Sequence, residues 1–239
     1  MAARAWPLAG QAACGYTRAM QVAIVSDTIC PWCYIGKRRF ERARAGRPAG
    51  LAVEWRPFQL NPDMPADGVD RQRYMVAKFG SEERVAEIFG AIEEAGEPEG
   101  IQFVFDRIAR TPNTMNSHRL IEFAGQRGAQ DAVVEALFRR YFEQGEDIGD
   151  CAVLEAAGVD GGLDEDEVRR FLSGTEGAEQ VRSESEAASR MGISGVPCFI
   201  FEGKYAVSGA QPPDVFERVF ELAAAARADT AADSPPPAA

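Results

Sequence analysis

The tetrapeptide Cys30-Pro31-Trp32-Cys33 follows closely on an apolar run, Val22 to Val25, and constrains the fold more than any other feature of the chain. A buried strand that leads straight into a helix places two thiols one helical turn apart at the helix N-terminus. There the first N–H groups lack intrahelical partners and the helix dipole is positive. Such a setting lowers a thiol pKa from about 8.5 into a range of roughly 3.5–7.5. Pro31 suits the first helical turn, where a missing N–H costs nothing. Cys30 then reads as a nucleophile and Cys33, further in, as the thiol that resolves a mixed disulfide. Cys-x-x-Cys is also half of a zinc site, but a zinc site needs a second ligand pair. Cys14, Cys151, Cys198 and the sole histidine, His118, are isolated from one another. The pattern therefore predicts a redox pair and no metal.

The neighbouring sequence predicts a βαβ unit. Met20 to Ser26 forms the first strand, with Asp27 or Thr28 expected to cap the helix that carries the cysteines. That helix should stop near Ala45, before Gly46-Arg47-Pro48. Leu51, Val53 and Trp55 alternate with Ala52, Glu54 and Arg56, the period of a second strand. Residues 67–191 carry helical spacing, as in Val85, Ile88, Phe89 and Ile92, broken by glycine-rich punctuation. Ile101 to Phe105 reads as a connector. Sheet signals return at Cys198 to Phe201, a Gly203-Lys204 turn and Tyr205 to Val207, followed by a helix opening at Pro212-Pro213. The expected division is 1–19 as an N-terminal extension, 20–66 with 192–227 as one α/β domain, 67–191 as a helical insertion, and 228–239 as a Pro-rich tail.

Composition narrows the partners. The chain has 239 residues, 46% hydrophobic, enough for a sizeable core, and a net charge of −11, which disfavours nucleic acid and anionic membrane surfaces. No run approaches the ~18 apolar residues of a membrane span. Five cysteines are too few, and odd in number, for a disulfide framework. Residues 1–20 hold Arg4 and Arg18 and no acid, but Pro, Gly and Gln interrupt the apolar stretch a signal peptide would need. The predicted location is cytoplasmic.

Several strings together resemble the DsbA-like thioredoxin family, in particular its non-secreted, FrnE-like branch. They are Ser26-Asp27-Thr28-Ile29-Cys30-Pro31-Trp32-Cys33-Tyr34-Ile35-Gly36, Trp55-Arg56-Pro57-Phe58-Gln59-Leu60, Asn113-Thr114-Met115-Asn116-Ser117-His118, Gly192-Ile193-Ser194-Gly195-Val196-Pro197, and Val207-Ser208-Gly209-Ala210-Gln211. The resemblance spans roughly residues 20–225. It implies a thioredoxin-like α/β fold with a large helical insertion between βαβ and ββα halves. It also implies a thiol–disulfide oxidoreductase acting on protein disulfides and thiols, with Cys30 and Cys33 catalytic and no organic cofactor.

By the same resemblance Pro197 is a cis-proline facing the cysteines, and Val196 offers its backbone to an extended substrate. Pro31, Trp32, Tyr34 and Phe58 are candidates for an apolar substrate rim, and equally for plain core. His118 is a candidate proton donor or acceptor on an insertion helix over the site, or a packing residue. Two positions depart from the family. Ile24 stands six residues before Cys30, where relatives often hold a buried carboxylate, leaving water, Asp27 or His118 to move the resolving proton. Cys198 follows Pro197 directly, and is either a small buried hydrophobe or a thiol able to capture Cys30. Related folds supply an alternative, a glutathione-dependent isomerase or transferase of the 2-hydroxychromene-2-carboxylate isomerase and kappa class, which makes glutathione a candidate co-substrate. A thioredoxin-fold chaperone is a further alternative, and exposed helices permit a homodimer.

Overall fold

The computed structural model describes residues 19–47 and 50–232, with side chains described through 227. The expected extension and the end of the tail, with Cys14, therefore lie outside the described residues. Strand β1 (Met20–Ser26), helix α1 (Pro31–Arg44) and strand β2 (Leu51–Pro57) form the expected unit. β1 and β2 are parallel, Met20 opposite Leu51 and Ser26 opposite Pro57. A parallel pair needs a crossover, and α1 supplies it. β5 (Cys198–Phe201) adds antiparallel to the other side of β1, and β6 (Tyr205–Ser208) completes the order β2-β1-β5-β6. Glu202 and Gly203, with φ of 52° and 64°, make the tight β5–β6 turn. α9 (Pro213–Ala232) returns beside α1. Phe40, Phe199, Phe201, Phe216 and Phe220 fill the space between, with ring centroids 4.7 Å apart for Phe199 and Phe216 and 5.4 Å for Phe40 and Phe199. α9 continues past 228, where the sequence places the start of the tail.

The helices of the insertion are α2 (Arg71–Phe79), α3 (Glu82–Gly96), α4 (Met115–Gly125), α5 (Gln130–Phe138), α6 (Cys151–Asp160), α7 (Glu165–Leu172) and α8 (Ala178–Arg190). Ile101 to Val104 is a connector as predicted, ending in a helical turn at Phe105–Arg107. A two-stranded antiparallel ribbon, β3 (Val69–Asp70) with β4 (Arg110–Thr111), departs from the all-helical expectation. Two residues per strand are too short to show a period in sequence.

The insertion seals the edge of the sheet. Trp55 in β2 donates its backbone N–H to Gln130 Oε1 at 2.8 Å, and its carbonyl accepts from Gln130 Nε2 at 3.1 Å. A side-chain amide thus stands in for a neighbouring strand and blunts an open edge. Covering by α4, α5 and α8 also removes the expected two-sided alternation in β2, since Trp55, Arg56 and Pro57 are all buried. One continuous apolar core runs from α1 and the sheet into α4, α5 and α6.

Candidate active site

The site forms where β1 turns into α1. Cys30 N–H donates to the Asp27 carbonyl at 3.1 Å, and this turn delivers Cys30 to the N-cap of α1 with extended backbone (φ −92°, ψ 112°). Pro31 occupies the first turn, and Cys33 N–H closes it on the Cys30 carbonyl at 3.0 Å. Neither Asp27 nor Thr28 caps the helix, contrary to the sequence expectation. The Asp27 carboxylate instead accepts the Leu60 N–H at 2.8 Å through Oδ2 and lies 3.3 Å from His118 Nε2 through Oδ1. Thr28 Oγ1 is 2.7 Å from Ser117 Oγ. Among the described residues no side chain, that of Cys30 included, hydrogen-bonds to the N-terminal turn.

The two cysteines differ in access. Cys30 keeps 6% of its surface and Cys33 none, so a substrate reaches Cys30 first. Burial pushes the Cys33 thiol well above its usual pKa, and the hydrogen bond and charge of Cys30 act in the same direction. The Ser26 hydroxyl and the Asp27 backbone N–H pull against that shift. Cys30 Sγ donates to the Val196 carbonyl at 3.5 Å. The Val196–Pro197 bond is cis, so loop and thiol face each other as the resemblance implies. Gly36 makes this approach possible, since a Cβ there would stand 2.9 Å from Pro197 Cγ and 3.3 Å from the Phe199 ring. Ser26 and Gly36 belong to the site although no role for them was read from the sequence. The signal for Gly36 was a glycine inside a helix, one turn after Cys33.

The rim is smaller than expected. Trp32 is 39% exposed beside the thiols and Pro31 is half-buried, but Phe58 and Tyr34 are core. Phe58 packs with Val25, Ala188 and Cys198. Tyr34 stacks on Phe138 at 5.1 Å and donates to Glu143 Oε1 at 2.7 Å, and burial carries its hydroxyl above the ordinary tyrosine range. His118 does sit on the insertion helix α4, but it is buried under the Asp27 turn and is not a substrate surface. Ile24 is fully buried in the apolar core. Cys198 lies opposite Val25 and packs on the face of the sheet turned toward α8, away from the cluster that holds Cys30 and Cys33. Its thiol is therefore packing, and burial raises its pKa. Cys151 is exposed at the start of α6. No described helix is long and apolar enough to cross a membrane.

The DsbA-like thioredoxin domain model matches residues 21–221. The chain belongs to that family. A probable DsbA oxidoreductase of Streptomyces coelicolor, SCO1869, is 32% identical, with a TM-score of 0.79 over 92% of this chain and 93% of its own. The uncharacterized protein YwbO of Bacillus subtilis (strain 168) is 27% identical over 206 residues, 83% of this chain and 94% of YwbO. A 2-hydroxychromene-2-carboxylate isomerase shares the fold at 18% identity, with a TM-score of 0.63 over 90% of this chain and 100% of its own.

Proposed function

We propose that this DsbA-like protein exchanges disulfides with protein substrates in the cytoplasm through Cys30 and Cys33. The observation that carries the reading is the pairing of a reachable thiol at a bare helix N-terminus with a sealed thiol that hydrogen-bonds to it. Cys30, as thiolate, attacks one sulfur of a substrate disulfide and expels the other as a thiolate, forming a mixed disulfide. Cys33 then gives up its proton and attacks Cys30 Sγ. The second substrate thiolate leaves, and two electrons have passed from the pair to the substrate. Two thiol protons balance the two thiolates released. The reverse sequence oxidises a substrate dithiol.

Burial holds the Cys33 proton in place until it is needed, and the Ser26 hydroxyl and Asp27 N–H steady the thiolate that forms. An extended substrate takes the Val196 carbonyl that Cys30 occupies in the free protein, one rung of strand addition. Trp32 and Pro31 supply the apolar rim. Reduction of insulin disulfides tests the reading. The wild-type chain should turn insulin over and Cys30→Ser should not; turnover by the serine variant rejects it. The glutathione-dependent alternative requires isomerase or transferase turnover that survives Cys33→Ala. Cys33 weakens that alternative, because it hydrogen-bonds to Cys30 and competes with any glutathione attached there.

A further inference from the structure

Away from the cysteines, α2, α3 and the Phe105–Arg107 turn enclose a pocket of about 350 Å³, within the range of small-molecule sites. Met75 and Val76 on one helix, Val85 and Phe89 on the other, and Ile108 give it an apolar wall, beside the polar Gln72, Glu82 and Asp106. Arg71 also lines it, at only 5% exposure. A buried cation ordinarily has a carboxylate or a full set of acceptors. The other buried cations here meet that rule. Lys37 pairs with Glu41 and Glu135, and Arg56 with Glu54 and Glu184. Arg119 lacks a carboxylate but spends its guanidinium on the Glu176 carbonyl, Asn116 Oδ1 and the Phe171 carbonyl, at 2.6, 2.8 and 3.1 Å.

Arg71 does neither. Its Nη1 donates to the neutral Tyr141 hydroxyl at 2.9 Å, and its Nε is buried with no partner. Nη2 has no hydrogen-bond partner among the described residues, and no described carboxylate pairs with the guanidinium. The rings of Phe89, Phe105 and Tyr141 stand 5.3, 5.7 and 5.7 Å from its centre, which holds the cation by its charge and fixes its plane without meeting its N–H donors. Nε is sealed and Nη1 is taken by Tyr141, which leaves Nη2 as the donor that can meet a carboxylate oxygen. Glu82 and Asp106 are exposed pocket residues, and their charges repel any anion in proportion to its charge, a dianion such as phosphate more than a monocarboxylate.

We propose that this pocket binds a small monocarboxylate with an apolar body, its carboxylate on Arg71 and its body between α2 and α3. The test is calorimetric titration of the reduced 239-residue chain with 4-phenylbutyrate and, separately, with its neutral amide. Saturable binding of the acid, at least tenfold tighter than the amide, is the expected result. Arg71→Gln should weaken the acid at least tenfold and leave the amide unchanged. If that variant does not fold, Ala86→Trp, which fills the pocket from the exposed side of α3, should abolish binding while Arg71 stays. Equal binding of acid and amide, no saturation of the acid up to ~10 mM, or full binding by Ala86→Trp overturns the proposal.

Discussion

Cys33 and Cys198 lie on opposite faces of the sheet, near its active-site end, and the contrast between them separates burial from chemistry. Both thiols are buried, and burial raises the pKa of each. Cys198 packs in an apolar cluster with Val25, Phe58 and Ala188, and burial alone raises its pKa. Cys33 has a second thiol, the Ser26 hydroxyl and the Asp27 N–H within hydrogen-bonding reach. A desolvated thiol surrounded by hydrocarbon is inert filler. The same desolvation next to a sulfur electrophile and two donors makes a thiol that keeps its proton until a mixed disulfide forms.

The largest expected effect is loss of insulin reduction to background in Cys30→Ser, since no other described thiol on that face is reachable. Next, Cys33→Ala should accumulate a mixed disulfide between Cys30 and substrate, visible by non-reducing electrophoresis, with steady turnover reduced at least about 100-fold. The same trapping by Cys198→Ala would collapse the contrast. Gly36→Ala should cost about 1–3 kcal/mol in urea denaturation, because the added methyl meets the Pro197 ring where packing leaves no room. An unchanged midpoint would show that the loop yields. Cys198→Ala should leave insulin turnover within about twofold of wild type and lower stability by ~1 kcal/mol, the loss expected for one small buried side chain.

The smallest effect is in pH dependence. For a group whose folded pKa is raised, the stabilisation is full below the unfolded pKa, about 8.5, and is lost as pH rises toward the folded value. The reduced protein should therefore lose stability above about pH 8.5. Cys33→Ala should flatten that loss more than Cys198→Ala, because the Cys30 charge adds to burial only at Cys33. Urea midpoints across pH 7 to ~10 in reductant measure it, and equal flattening would remove the distinction.

Local sequence determined much of the redox half. Apolar β1, Pro31 at the start of α1 and the turn at Gly203 act over a few residues, so their signals are written side by side in the chain. The family strings further imply the cis bond at Pro197 and its place opposite Cys30, both present in the structure. The insertion was legible as helices and little more, because its ribbon pairs Val69 with Thr111 through strands too short to carry a period. Asp27 illustrates the limit best. By its position it should cap a helix, yet its carboxylate goes to Leu60 and to His118, partners distant in sequence that only the packed fold brings within reach. The same holds for Cys198 and Phe199. Alternation places them on opposite faces, but which face meets α1 depends on the register of β5 against β1. The open guanidinium of Arg71 has no signature in sequence either, since an arginine reads as a surface charge until the surrounding helices bury it. Sequence determines what each residue offers, and tertiary structure decides which offers are met, because hydrogen bonding and desolvation depend on neighbours the chain supplies only once it is folded.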